Sequence, residues 1–256
     1  MTQPNHHRHH PLPTPASVTP AQALRWLATG WRIFTANPGV WVVQALILFV
    51  ILAALGFLPF LGWAAAPVAF PLLVGGLLAG AHAVEQGQTL RIDHLFEGLR
   101  RHPGNLLMVG GFHLLGTLIA AAVGGSALFA GGAAAGLGGV GFAAGGLMLG
   151  VLVFSLLSAL LVMALSFAPA LVMLQNVAPL DAMKLSALAC LRNLLTFGLL
   201  AVMLYVLVWL ALIPAGLGML VLVPVLAGAL LAAWRDTFAQ APALAAPLPG
   251  DPPPHA

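Results

Sequence analysis

PGVWVVQALILFVILAALGFLPFLGWAAAPVAFPLLVGGLLAGAHAVE, residues 38–85, decides the fold: two apolar runs, a break at Leu58, Pro59, Phe60, Leu61 and Gly62, and no ionisable side chain before His82. Residues 40–57 contain a single polar group, the amide of Gln44. As a helix rising ~1.5 Å per residue this run is ~27 Å long, close to the hydrocarbon thickness of a bilayer. Residues 63–84 follow as a second span, in which Pro67 and Pro71 bend the helix without stopping it. The two form a tight helical hairpin.

The pattern recurs along the chain. Residues 106–123 and 147–174 make a second hairpin, and 194–213 with 217–234 a third, so six spans are expected in an all-α membrane domain over residues 19–238. Composition agrees: 61% of the 256 residues are hydrophobic and 6% charged, against ~25% charged in an average soluble domain. A water-soluble globule is excluded. The formal net charge of +3 is too small to suggest nucleic-acid binding. The lone cysteine, Cys190, excludes an intramolecular disulfide and a cysteine-based metal cluster. No cofactor is implied.

The basic residues set orientation. Arg8, Arg25 and Arg32 precede the first span; Arg91, Arg100 and Arg101 lie between spans two and three; Lys184 and Arg192 lie between four and five; Arg235 follows six. All fall on one flank, whereas the opposite connections, 58–62, 124–146 and 214–216, carry no charge. By the positive-inside rule both termini are expected in the cytoplasm, in a multi-pass protein of a bacterial inner membrane. The first 18 residues, with His6, His7, Arg8, His9 and His10 among prolines, lack the apolar core of a signal peptide and read as a disordered tail. The histidine run could alternatively bind a transition metal weakly. Residues 239–256, rich in Ala and Pro, read as a second tail.

A short amphipathic segment precedes each hairpin. In the first, Leu24, Leu27, Trp31 and Phe34 recur at helical spacing, and Gln22, Arg25, Thr29 and Arg32 do so on another face. Thr19, Pro20 and Gln22 form its N-terminal signature. Sixty-five residues on, Ile92, Phe96 and Leu99 repeat the positions of Leu27, Trp31 and Phe34, and Glu97 stands one turn before Arg101. The third, 181–193, sets Asp181, Lys184 and Arg192 against Leu180, Met183 and Leu191. These helices are expected along the membrane interface. PLLVGGLLAG at 71–80 also echoes PVLAGALLAA at 224–233, and Pro169 lies in the remaining second span. We read three copies of interfacial helix, span, span. The glycine-rich stretch 124–146 fits an external loop or a re-entrant segment, and we take the loop.

Intramembrane polar groups are the candidate site: His113, Gln44, Ser155, Ser158 and Tyr205, with Thr117 and Ser166 beside them. His113 is the one ionisable group deep in a span. Its plain alternative is a neutral imidazole bonded to a neighbouring helix, and Ser155 with Ser158 suit helix-helix contact. No nucleophile elbow, zinc-binding helix motif or membrane-buried carboxylate pair occurs, so no enzyme activity is expected.

FAPALVMLQNVAPLDAMKLSALACLRN at 167–193, LVPVLAGALLAAWRDTF at 222–238, GWRIFTANPGVW at 30–41, AHAVEQGQTLR at 81–91 and HLFEGLR at 94–100 resemble an uncharacterised family of six-helix inner-membrane proteins of Gram-negative bacteria. More distantly the chain resembles the membrane domain attached to some glycerophosphodiesterases. The resemblance implies location and helix number and carries over no catalytic residue. The expected partners are the lipid bilayer and other membrane proteins or a second copy. The function expected is a non-enzymatic membrane-organising or accessory component, with a small permease or channel for an uncharged or amphiphilic solute as the alternative.

Overall fold

The computed structural model describes residues 13–59, 61–138 and 140–238. Among them the chain is helical, with no strand. Helix α1 (Pro20–Ala36) is followed by α2 (Pro38–Gly56) and α3 (Leu61–Glu85). A 3-10 turn (Ile92–Phe96) leads into α4 (Glu97–Arg101), α5 (Pro103–Gly138) and α6 (Val140–Ser166). The chain closes with α7 (Ala168–Gln175), α8 (Pro179–Arg192), α9 (Leu194–Leu212) and α10 (Met219–Phe238). Six helical segments are long and apolar enough to cross a membrane: α2, α3, α5, α6 continued by α7, α9 and α10.

The proline positions show what a bilayer tolerates. Pro67 and Pro71 both lie inside α3 without ending it. The fourth span, in contrast, is divided: α6 stops at Ser166 and α7 restarts at Ala168 with Pro169 in its first turn. Two further corrections concern connections. The stretch 124–146 is helical through its described residues, not a loop, as α5 runs 36 residues and α6 begins at Val140. By remaining helical, this apolar Gly-Ala run pairs its backbone groups internally. Residues 13–18, placed in the N-terminal tail by composition, instead run extended against the end of α10. Ala16 N–H donates to the Thr237 carbonyl at 2.8 Å, and Val18 N–H to Asn193 Oδ1 at 2.8 Å. The histidine run 6–10 and the tail 239–256 lie outside the described residues.

The short helices are packed into the bundle: α1 against α10, the 3-10 turn and α4 against α3, and α8 against α6. Helix α1 buries Ala23, Trp26, Gly30, Ile33 and Phe34, while Leu24 and Trp31 stay exposed. A Cβ on Gly30 would run into the Val225 carbonyl, so glycine sets the closeness of α1 and α10. The same holds where Gly98 meets the Leu72 carbonyl and Gly76 meets that of Leu95. Small residues that let backbones approach are the usual source of helix affinity in lipid, where apolar side chains gain little by leaving one apolar medium for another. Aromatic groups fix the corner: Trp41 Nε1 donates to the Ile33 carbonyl at 3.1 Å, covering an acceptor at the end of α1.

Candidate functional site

Among the cavities that open between the helices, one of ≈ 480 Å³ lies at the α2–α3 turn beside Leu114 and Thr117, and two others have mainly aliphatic and aromatic walls. The central one, ≈ 500 Å³, lies among α2, α3, α6 and α10, with His113 of α5 and Pro169 of α7 in its wall. The other, ≈ 460 Å³, lies among α6, α9 and α10, with Cys190 of α8 in its wall. Both are in the size range of small-molecule sites. Their linings are aliphatic and aromatic except for His113, Ser166 and Cys190.

His113 reaches the cavity for a local reason. The backbone carbonyl of Pro67 lies near its imidazole. That carbonyl has no donor within its own helix, because the residue four places on is Pro71, which lacks an N–H. The histidine thus stands beside an acceptor that the proline deprives of its usual helical donor. Its Nδ1 is buried without a hydrogen-bond partner. Thr117 adds a hydroxyl bond to the His113 carbonyl at 2.9 Å. Ser166, on the same cavity wall, spends its proton on the Val162 carbonyl at 2.7 Å.

The other candidates lie apart. Gln44 is fully buried and ties α2 to the turn before the 3-10 segment, its Nε2 donating to the Arg91 carbonyl at 2.8 Å. Ser155 is exposed on α6, and Ser158 is half-buried. Tyr205 is exposed on α9, edge-on to Trp209 with ring centroids 6.1 Å apart. The structure therefore brings His113 and Ser166 to one cavity and leaves Gln44, Ser155, Ser158 and Tyr205 outside it.

Ionic groups gather at one end. Arg101 Nε pairs with Glu97 Oε2 at 2.6 Å, the helical spacing expected from sequence, and Arg91 and Arg100 hold Asp93 at 3.1 and 3.4 Å. Desolvation would raise the Asp93 carboxyl, but the two guanidiniums outweigh it and hold it below the usual range. Glu85 and Arg235 pair across the ends of α3 and α10. Asp236 accepts from Trp26 Nε1 at 2.8 Å and from Gln22 Nε2 at 3.2 Å. Sequence reasoning missed this tie, and no local signal links residues that far apart. It missed Ser186 and Asn193 too, which are buried polar side chains serving the backbone of other elements.

Burial pushes the Cys190 thiol up to about 11, so it is a packing group at neutral pH. Among the described residues no group of three or more His, Cys, Asp or Glu side chains is placed to hold a metal ion. No family model, curated protein or solved structure matches the chain.

Proposed function

From a chain with six membrane-crossing helices and no matching relative, we propose a non-enzymatic, multi-pass protein of a bacterial inner membrane that organises lipid or accessory proteins on its basic flank. The observation that carries this reading is the apolar lining of the two cavities beside α6 and α10, interrupted by three polar side chains. A pathway for a hydrophilic solute needs a continuous run of polar groups, and a hydrolytic site needs a pair of proton-handling groups.

The proposal includes a threefold repeat closed into a ring, with each short helix seated on the second span of the preceding copy. The register of contacts supports it. Gly30 faces Val225 and Ala229, Leu95 faces Gly76 while Gly98 faces Leu72, and the Ser186 hydroxyl bonds Met163 and Phe167. Leu95 and Ser186 are 91 residues apart, as are Leu72 and Met163 and, four residues on, Gly76 and Phe167. The basic residues Arg25, Arg91, Arg100, Lys184 and Arg192 beside exposed Leu24, Trp31, Ile92, Leu99, Leu180 and Leu191 fit the three short segments at the cytoplasmic headgroup level. Membership of the six-helix inner-membrane family belongs to the same proposal.

Proteoliposomes test it directly. Vesicles containing the protein should shrink and re-swell in glycerol or urea at the rate of protein-free vesicles. Faster solute entry would overturn the accessory reading in favour of a permease. Alkaline phosphatase fused at residue 60 should be active and at residue 95 inactive; the reverse would invert the topology.

A further inference from the structure

The ≈ 460 Å³ cavity begins at the basic flank. Its wall includes Cys190 at the end of α8, Leu194 at the start of α9, and Ala233 close to the end of α10. From there it follows α9 as far as Leu204, a length of ~15 Å, half the thickness of the hydrocarbon layer and thus one leaflet deep. Arg192 does not itself line the cavity, but it lies two residues along the chain from both Cys190 and Leu194 of the wall and is exposed. It has no carboxylate within ion-pair distance among the described residues, and its one protein bond is from Nη1 to the Pro15 carbonyl at 3.1 Å. A guanidinium has five N–H donors in a planar fork suited to phosphate.

We propose that this groove is a binding site for one anionic phospholipid of the basic-side leaflet, its phosphate on Arg192 and one acyl chain between α6, α9 and α10. The groove supplies the apolar wall and the depth that such a molecule needs, and Arg192, outside the lining but two residues from it along the chain, supplies the opposite charge. It is also a gap in an otherwise closed ring. In the register of the repeat, Ala201 on α9 corresponds to Gly110 on α5, 91 residues earlier. Gly110 lets α5 close directly on the backbone of Val68, since a Cβ there would meet Val68 Cα at 2.6 Å. Ala201 meets no such closure and lines the groove instead. The two related interfaces therefore differ by whether the first span reaches its neighbour, and the open one is left for a chain from the bilayer.

The site is tested with the full chain in nanodiscs of equimolar palmitoyl-oleoyl phosphatidylglycerol and phosphatidylcholine, transferred to mild detergent and weighed by native mass spectrometry. The wild type should retain one phosphatidylglycerol in preference to phosphatidylcholine. Arg192→Gln should lower that preference about fivefold, the loss of one near-surface cation, while total retained lipid stays constant. Ala201→Phe should abolish retention of both. An unchanged preference in Arg192→Gln, or an unchanged lipid count in Ala201→Phe, overturns the site. A second measurement needs no variant. Alkylation of Cys190 by N-ethylmaleimide should be slower in discs containing phosphatidylglycerol than in pure phosphatidylcholine, and glycerol 3-phosphate added to delipidated protein should give no protection. Equal rates in the two discs, or protection by the free phosphate ester, would remove the lipid from the proposal and leave the solute-entry assay unaffected.

Discussion

Ser186 accepts the amide proton of Phe167 at 2.9 Å across a separation of 19 residues, taking the place of a bond inside another helix. In an unbroken helix that amide would bond to the Met163 carbonyl; here the Ser186 hydroxyl donates to the same carbonyl at 2.6 Å. One side chain on α8 has inserted itself into the ladder of the fourth span. Pro169 supplies the reason for a break at this point, because its ring and missing N–H disturb the preceding turn. The hydroxyl repairs what the proline opens, and it also fixes where α8 sits on α6.

Ser186→Ala should therefore cost more than an ordinary hydroxyl deletion. It leaves the Phe167 amide without a partner in apolar surroundings and the Met163 carbonyl with only the weak Cys190 thiol donor at 3.7 Å, a loss of about 1–3 kcal/mol. Thermal unfolding followed by size-exclusion chromatography in detergent measures it. Ser155→Ala, on the exposed side of α6, should leave the midpoint where it was, and equal effects from the two would contradict this account of the break.

Gly30 makes a second sharp contrast. Any side chain there meets the Val225 carbonyl and the Ala229 amide, both backbone and unable to swing aside. Gly30→Ala should separate α1 from α10 at a cost of about 1–3 kcal/mol or more, the range for overfilled interiors. Gly39→Ala, where a Cβ finds nothing within 4 Å, should be neutral. Fluorescence-detected chromatography of the two variants distinguishes them, and a monodisperse, wild-type-like Gly30→Ala would show that α1 is not held at that crossing.

The Cys190 thiol gives a pH dependence with a definite sign. An ordinary thiol ionises near ~8.5, whereas burial moves this one up to about 11. Between those values the unfolded chain has lost the proton and the folded chain has kept it. The contribution to stability is therefore intact below pH ~8.5, falls as pH rises toward 11, and is constant beyond it. Maleimide modification of the folded protein should stay slow at pH 7 and accelerate about tenfold per unit up to that point. Cys190→Ala should flatten the alkaline fall in melting temperature, and an identical fall in the variant would assign it to other groups.

Much of the fold was legible because spanning helices are written in length and apolarity, and lipid leaves few alternatives for a backbone. The runs around Gln44 and around Tyr205 needed no tertiary information. The interior contacts were harder to read, and for the same reason. In water the apolar stripe of α1 would mark its protein-facing side, yet Leu24 and Trp31 face outward and Gly30, Trp26 and Ile33 face α10. Hydrophobicity does not separate a neighbour helix from a lipid tail, whereas residue size does, and Gly30 was the better sign. The Gly-Ala stretch 124–146 looked like a loop by a rule learned in water. His113 stood out as an ionisable group, but its neighbour is a carbonyl that Pro71 deprives of its helical donor, which only the pairing of α3 with α5 reveals.

The strap over residues 13–18 yields the remaining expectation. Asn193 is the knot: its Oδ1 accepts from Val18 N–H at 2.8 Å, and its Nδ2 donates to the Ala16 carbonyl and the Ala189 carbonyl at 3.0 Å each. Thr196 adds a bond to the Val18 carbonyl at 2.9 Å. No apolar side chain reproduces these bonds, so Asn193→Leu conserves volume while cutting the strap from the α8–α9 corner. The strap's buried apolar side chains are Pro15 and Val18 alone, so its release should leave the six spans folded. Hydrogen exchange should show amides 16–18 losing protection by tenfold or more, from the loss of at least one bond of about 1.5 kcal/mol, while the amides of α3 and α10 exchange as before. If α10 also loses protection, the strap is part of the bundle's cooperative core, and α10 depends on residues 13–18 for stability as well as position.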